Sequence, residues 1–113
     1  MDILRQRVII EAFGCNNLNN IDTVYDFLIS VADKIGATLY SQPIVMKTPG
    51  QGVTGIAVLL ESAEVMHSWP EHGFMDFYLE SCKEFDYKPI YTLINKFFTP
   101  QKIKLHIHDK IRG

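Results

Sequence analysis

The middle of the chain brings several kinds of reactive side chain into one short stretch. Glu61 and Ser62 are followed by His67 and Glu71, and then by Cys82. A hydroxyl near an imidazole and a carboxylate is a set of groups that nucleophilic catalysis uses, and a thiol can donate a proton. Each residue alone is more often an ordinary polar residue at a strand end, so it is their combination that predicts a reactive site.

The serine of this stretch lacks the surroundings of a hydrolase nucleophile. No Gly-x-Ser-x-Gly turn encloses Ser62, which disfavours a Ser-His-acid triad of the α/β-hydrolase type. Ser62 instead comes soon after residues 55–60, a run typical of a buried strand. If that strand continued to residue 62, Thr54 and Ser62 would point to one face of the sheet and Glu61 to the other.

A small number of secondary-structure elements must position these residues. Apolar runs and alternation predict strands at residues 7–13, 37–48, 54–60, 74–81 and 103–108. Helical spacing predicts one helix from an N-cap at Asn20 to Gly36 and a second from Pro89 to Thr99. This order predicts an α+β fold, a two-layer α/β sandwich with a mainly antiparallel sheet and two helices on one face.

One face of such a sheet would have no helical cover. The central strands are rich in apolar residues, so this face is expected to pack against another sheet rather than meet water. We therefore predict a homodimer in which the sheets of two protomers face each other.

Length and composition restrict the class of protein. The 113 residues suit a single domain spanning 1–113, and a net charge of -2 disfavours a nucleic-acid partner, because phosphate binding needs a basic surface. No apolar run approaches the roughly 20 residues of a membrane-spanning helix. The N-terminus carries charge where a signal peptide would be apolar. We expect a cytoplasmic protein in which Cys15 and Cys82 are free thiols.

Two further patterns resemble binding motifs without the context that binding requires. Residues 50–55 spell Gly-x-Gly-x-x-Gly, but a strand is predicted to follow rather than a helix, which favours a tight turn over a phosphate site. His106 and His108 share one strand face with Lys104, and two histidines beside ammonium groups do not complete a metal site. Cys15 lies in an Asn-rich loop and is interpreted as structural or incidental.

Three segments together resemble one protein family. They are residues 51–55 (QGVTG), residues 61–62 (ES) and residues 67–73 (HSWPEHG), followed at a matching spacing by Cys82. Over nearly its whole length the chain resembles the small prokaryotic S-adenosylmethionine decarboxylase proenzymes, which depend on a pyruvoyl group. Decarboxylated S-adenosylmethionine is the aminopropyl donor of spermidine biosynthesis, and the resemblance implies this activity.

The resemblance implies that the chain cuts itself. In that family the serine matching Ser62 attacks the carbonyl of the residue matching Glu61, the amide becomes an ester, and elimination leaves a pyruvoyl group. Autocatalytic cleavage would divide this chain into residues 1–61 and 62–113. The pyruvoyl group derived from Ser62 is the implied cofactor. It forms a Schiff base with the substrate amine and accepts the electrons released when carbon dioxide leaves.

The resemblance also implies roles in processing and turnover for other residues. His67 matches the histidine that assists processing. Thr54 stands where the family has a processing serine, and it keeps the hydroxyl. Cys82 matches the thiol that protonates the product carbon. Active sites near the interface of the homodimer would draw groups from both protomers.

Substrate binding is implied at three positions. Glu71 matches a carboxylate that accepts hydrogen bonds from the ribose hydroxyls of S-adenosylmethionine. Adenine stacks between aromatic rings in the family, and Trp69 and Phe13 are the candidates for this contact. No metal site is expected.

One residue departs from the family pattern beside the cleavage site: Ala63 follows Ser62 where bacterial members usually have histidine. Two alternatives stay open from sequence. In the first, the same fold and cofactor act on arginine or ornithine, because some members of this fold decarboxylate those amino acids. The second alternative is a relative that never cleaves itself and only binds a nucleoside-like ligand.

Overall fold

Six longer strands and two helices account for most of the chain in the computed structural model, which describes residues 2–108 and 111–112, with side chains from residue 4 to residue 108. In chain order the elements are β1 Asp2–Ile3, β2 Gln6–Phe13, α1 Ile21–Lys34, β3 Ile44–Lys47, β4 Val53–Val58, β5 Ser62–Trp69, a 3-10 turn Pro70–His72, β6 Phe74–Ser81, α2 Lys88–Phe98, β7 Lys102–His108 and β8 Ile111–Arg112. The domain predicted for residues 1–113 includes Met1, Asp109, Lys110 and Gly113, which lie outside the described residues.

The main sheet is antiparallel between every pair of neighbouring strands. Its strand order is β3-β4-β5-β6-β2-β7, and the two-residue strands β1 and β8 pair separately. The core lies between one face of this sheet and the two helices. In that core the ring of Phe27 from α1 lies 5.3 Å from Phe77 of β6 and 5.2 Å from Phe98 of α2, centroid to centroid. The predicted α+β fold with both helices on one face is confirmed.

Helix α1 begins and ends where its sequence predicts. The Asn20 side chain accepts a hydrogen bond from the backbone N–H of Thr23 at 3.1 Å and so caps the first turn. Gly36 takes φ +76 just after the last turn, a left-handed conformation that glycine adopts without steric cost. The helix lies so close to β4 that a Cβ at Gly55 would meet Leu28 Cδ1 at 2.8 Å. The glycine therefore permits this packing.

The strand predicted at residues 37–48 is wrong over most of its length. Only Ile44–Lys47 forms a strand, and Leu39 makes an isolated bridge to Leu59. Pro43 has no backbone N–H to give to a neighbouring strand, so the regular pairing starts after it.

The sequence does not predict strand β5, because two of its polar residues face the core instead of the solvent. Glu64 and Ser68 lie on the helix-covered face and are buried, whereas His67 and Trp69 lie on the other face and are exposed. Sequence patterns assume that apolar residues face the core, so this strand gives no recognisable alternation.

The chain reverses between β4 and β5 through a two-residue turn, Leu60-Glu61. The N–H of Leu59 donates to the carbonyl of Ser62 at 2.9 Å, so these two residues lie directly opposite each other. Opposed residues of antiparallel strands share a face, and Leu59 is buried under the helices. Ser62 therefore lies on the helix-covered face and Thr54 on the open face. The predicted common direction of Thr54 and Ser62 is wrong because the strand ends before residue 60.

The sheet face opposite the helices carries an exposed apolar area. Its strongly exposed apolar side chains on β3 and β4, which are 44% to 67% accessible, are Ile44, Met46, Ile56 and Val58. A contiguous apolar area of this kind marks an interaction surface. No helix in the described part of the chain is long and apolar enough to span a bilayer.

Candidate active site

The bond between Glu61 and Ser62 lies in the turn between β4 and β5, at one end of the sheet. Ser81 of β6 pairs with Ser62, and the next residue, Cys82, donates its backbone N–H to the Glu61 carbonyl oxygen at 3.0 Å. Lys83 Nζ lies 3.0 Å from Glu61 Oε1. The residues that follow β6 thus hold both the main chain and the side chain of Glu61.

A cavity of about 200 Å³ lies beside this bond. Glu61, Ser62, Ser81 and Lys83 contribute to its lining, together with the segment that follows helix α1. Ser62 is partly buried, and the side chain of Cys82 is exposed as a free thiol. The space is smaller than a typical pocket for a drug-sized ligand, so it fits a group of a few heavy atoms.

A second set of predicted site residues lies on the open face of the sheet. Thr54 Oγ1 and His67 Nδ1 are 3.0 Å apart, a hydrogen bond that joins β4 to β5. The structure therefore brings these two residues together. It does not bring them to Ser62, which lies on the opposite face and about 16 Å from His67 along β5 at the usual rise per residue.

Three aromatic rings border an open groove on the same face as His67. The ring centroids of Phe13 and Phe74 are 5.1 Å apart, and those of Trp69 and Phe74 are 5.3 Å apart. These rings line a groove of about 540 Å³ together with Glu11 and His72. Phe74 is missing from the sequence prediction, although the short Pro-Glu-His-Gly turn after Trp69 indicates a hairpin that returns the next residue beside it.

Glu71 lies on the 3-10 turn beside this groove. Its side chain is exposed, and it is not among the residues that line the groove. A carboxylate in this position can accept hydrogen bonds from a ligand that extends over the edge of the groove.

Burial raises the pKa of two groups, Glu64 and Cys15, that lie outside the two sets of contacts just described. Glu64 is fully buried on β5, neither of its oxygens has a hydrogen-bond partner among the residues that the structure describes, and burial raises its pKa to about 9. Burial also raises the pKa of the Cys15 thiol to about 11, which keeps it protonated and unreactive. The backbone N–H of Cys15 donates to the Gly73 carbonyl at 2.8 Å, in line with a structural role.

The structure around residues 50–55 and around His106 agrees with the sequence interpretation of these two motifs. Gly50 takes φ +89 in a turn, and β4 rather than a helix follows, so residues 50–55 present no helix N-terminus to a phosphate. His106 is half exposed, and its Nε2 lies 3.1 Å from Glu11 Oε1. Within residues 2–108 and 111–112, no three His, Cys, Asp or Glu side chains cluster as metal ligands would.

Comparison with known proteins identifies the family. The family model described as S-adenosylmethionine decarboxylase matches residues 6–111. The chain belongs to this family. The S-adenosylmethionine decarboxylase proenzyme of Methanococcus maripaludis (strain C7) is 36% identical over 107 residues, which cover 91% of this chain and 86% of that protein. The S-adenosylmethionine decarboxylase proenzyme of Thermomicrobium roseum is 29% identical over 106 residues, which cover 93% of this chain and 91% of that protein.

A solved structure has the same fold. The crystal structure of the adenosylmethionine decarboxylase from Aquifex aeolicus matches with a TM-score of 0.79 at 19% identity, and the match covers 96% of this chain and 91% of that one. The family membership and the fold that the sequence resemblance implied are both confirmed.

Proposed function

We propose that this member of the S-adenosylmethionine decarboxylase family cleaves its own chain between Glu61 and Ser62 and then decarboxylates S-adenosylmethionine with the resulting pyruvoyl group. One observation carries the proposal: the Cys82 N–H donates a hydrogen bond to the Glu61 carbonyl oxygen, at the bond that the family resemblance marks for cleavage. The match of the family model over residues 6–111 supports the reaction type.

Processing would begin when the Ser62 hydroxyl oxygen attacks the Glu61 carbonyl carbon. Negative charge then develops on the Glu61 carbonyl oxygen, to which the Cys82 N–H already donates. Collapse breaks the amide between the two residues, and the amide nitrogen becomes a free amine while an ester forms through the Ser62 oxygen. Loss of the Ser62 α-proton then expels Glu61 as a carboxylate. The unsaturated residue that remains at position 62 takes up water and releases its amine as ammonia, which leaves the pyruvoyl group on the C-terminal fragment.

The surroundings of Ser62 fit such a group. The neighbouring cavity of about 200 Å³ has room for a side chain of this size, and Ser62 is partly buried beside it. Once formed, a pyruvoyl group supplies an electron sink for the loss of carbon dioxide. Cys82 follows Ser81 of the cavity wall and carries an exposed thiol, so we assign to it the proton that returns to the product carbon.

The aromatic groove of one protomer is the proposed site for the nucleoside part of a substrate bound at the Ser62 of a second protomer, because the groove and Ser62 of one chain lie on opposite faces of the sheet. Phe13, Trp69 and Phe74 offer ring faces for adenine to stack on, and such faces also attract a sulfonium cation. Glu71 at the edge of the groove is the proposed acceptor for the ribose hydroxyls.

A second protomer would complete the site. Because His67 and Thr54 lie on the open face, one chain cannot place them at its own Ser62. The exposed apolar side chains of β4 lead toward the cleavage turn, where Leu60 is itself 62% exposed. We propose a homodimer that buries this area and brings His67 and Thr54 of one protomer to the turn of the other.

Carbon dioxide release tests the substrate. Purified protein is incubated separately with carboxyl-labelled S-adenosylmethionine, ornithine and arginine, with the Ser62→Ala variant as the blank. The proposal expects release from S-adenosylmethionine alone. Release from ornithine or arginine instead would contradict the substrate assignment and keep the reaction type. Absence of release from all three, from protein shown to be cleaved, would contradict the decarboxylase assignment.

A further inference from the structure

A row of paired residues crosses the open face of the sheet and includes charged side chains that have no role in the proposed processing step. Across strands β4, β5, β6, β2 and β7, the row consists of Thr54, His67, Asp76, Glu11 and Lys104. Directly opposed side chains on one face have Cβ atoms about 4.5–5.5 Å apart, so each member is a neighbour of the next. A hydroxyl, an imidazole, two carboxylates and an ammonium group thus lie side by side.

We infer that Asp76 is the positioning residue of His67: its carboxylate holds the imidazole ring against Thr54 and balances the charge that the ring gains with a proton. The inference rests on the proposed function, in which His67 moves protons during processing. Thr54 Oγ1 bonds Nδ1 of the ring at 3.0 Å from β4, and Asp76 is the residue paired with His67 on β6.

Glu11 lies one strand farther from His67 than Asp76 does, and it has an imidazole partner of its own. His106 Nε2 lies 3.1 Å from Glu11 Oε1, and Lys104 is opposite Glu11 on β7. Asp76 is therefore the carboxylate left to His67. The other residues that line the pocket beside His67 and Asp76 carry no carboxylate or ammonium group; they are Ile9, Val65, Phe77 and Tyr78.

The electrostatics of Asp76 agree with this pairing. Burial raises the pKa of Asp76, the charge of the His67 ring lowers it, the charge of Glu11 raises it, and a hydrogen bond from the His67 backbone lowers it. The carboxylate is thus stabilised in its charged form by His67 and destabilised by Glu11. Replacing the His67 side chain should therefore raise the pKa of Asp76, and replacing the Glu11 side chain should lower it. These opposite shifts can be measured without any assay of function.

The first experiment is a titration of Asp76 by carboxyl carbon NMR. Protein carrying Ser62→Ala stays uncut by design, and His67→Gln or Glu11→Gln is added to it. The inference expects His67→Gln to raise the pKa of Asp76 and Glu11→Gln to lower it. A titration of Asp76 that His67→Gln leaves unchanged would overturn the pairing.

The second experiment measures how the rate of self-cleavage in otherwise native protein depends on pH, from pH 4 to pH 8. Asp76→Asn should slow cleavage at least tenfold, and Asp76→Glu should restore most of the rate. The wild-type rate should fall as pH falls through the pKa of Asp76, and this step should be missing from the Asp76→Asn profile. Glu80→Gln is the matched control, since Glu80 lies on the same strand and face but pairs with Arg5.

The two experiments separate this inference from the proposed function. If Asp76→Asn cleaves at the wild-type rate with the wild-type pH profile, the role of Asp76 is refuted while self-processing stands. If the wild-type chain never cleaves, the proposed function fails, and the titration alone decides whether Asp76 and His67 are paired.

Discussion

The backbone N–H of Cys82 donates a hydrogen bond to the carbonyl oxygen of Glu61 at 3.0 Å. This contact joins the residue after β6 to the turn between β4 and β5. It provides a donor at the atom that gains negative charge in the proposed cleavage, and the donor does not depend on any side chain. Cys82 would therefore serve maturation through its main chain and turnover through its thiol.

These two contributions can be separated by Cys82→Ala. The variant keeps the N–H and should cleave at close to the wild-type rate, but it should lose about 10²- to 10⁴-fold in kcat because the proton donor is gone. Fragment analysis on gels and steady-state assays of carbon dioxide release check the two parts. Cys15→Ala is the matched control and should keep full turnover, since that thiol is part of the core boundary. Normal turnover with the correct product in Cys82→Ala would remove the thiol from the mechanism.

The shared site predicts complementation between two inactive chains. Ser62→Ala has no nucleophile and His67→Ala lacks the proposed processing base, so each should remain uncut alone. When the two are mixed and allowed to exchange protomers, the intact His67 of one chain should meet the intact Ser62 of the other. Mass spectrometry should then show cleavage of the His67→Ala chain only. If mixing never yields fragments although the chains form mixed dimers, the two-protomer site is refuted.

The exposed apolar face should hold the proposed dimer together. Ile56→Lys places a charge where the side chain is 44% exposed on the open face, so the variant should sediment as a monomer and lose self-cleavage. Ile21→Lys is the control, because Ile21 is 36% exposed at the start of α1, away from that face. A wild-type protein that sediments as a monomer at all concentrations would contradict the dimer.

The buried Glu64 predicts a pH dependence of stability. Its pKa is raised from 4.5 to about 9, so the folded chain keeps a proton that the unfolded chain releases. This contribution is fully present below pH 4.5 and is lost as pH rises through about 9, with a slope of up to about 1.4 kcal/mol per pH unit in between. Urea unfolding of uncut Ser62→Ala protein at pH 5.5, 7 and 8.5 should show that the free energy of unfolding falls as the pH rises.

The same unfolding series in Glu64→Gln isolates this group. The variant has nothing to titrate at position 64, so its free energy of unfolding should fall less steeply with pH than that of the parent. Equal slopes for parent and variant would show that Glu64 is not the group responsible.

Local signals in the sequence predict much of the fold because they act through neighbouring residues. Asn20 caps α1 and Gly36 follows its last turn, as their types indicate. The strand at β2 and the turn at Gly50 are also where the sequence places them. The chemistry of Thr54 and His67 as a pair could be predicted from the sequence only through the family resemblance.

The rest depends on contacts that sequence spacing does not encode. A two-residue turn places Ser62 opposite Leu59, so the face of Ser62 follows from the turn length rather than from the alternation of β4. The row that pairs His67 with Asp76 depends on the register of β5 and β6. Glu64 inside the core reverses the expected pattern of β5, which is why that strand escapes prediction.

The intact mass of the purified chain is the most direct test of cleavage between Glu61 and Ser62. Self-processing should give two fragments, residues 1–61 and 62–113, with the second lighter by one ammonia than a fragment that begins with serine. Ser62→Ala should give one uncut chain, and the control Ser30→Ala, at a serine of helix α1, should be cut like the wild type. A wild-type chain that stays whole after prolonged incubation, or Ser62→Ala protein cut at the same bond, would contradict it.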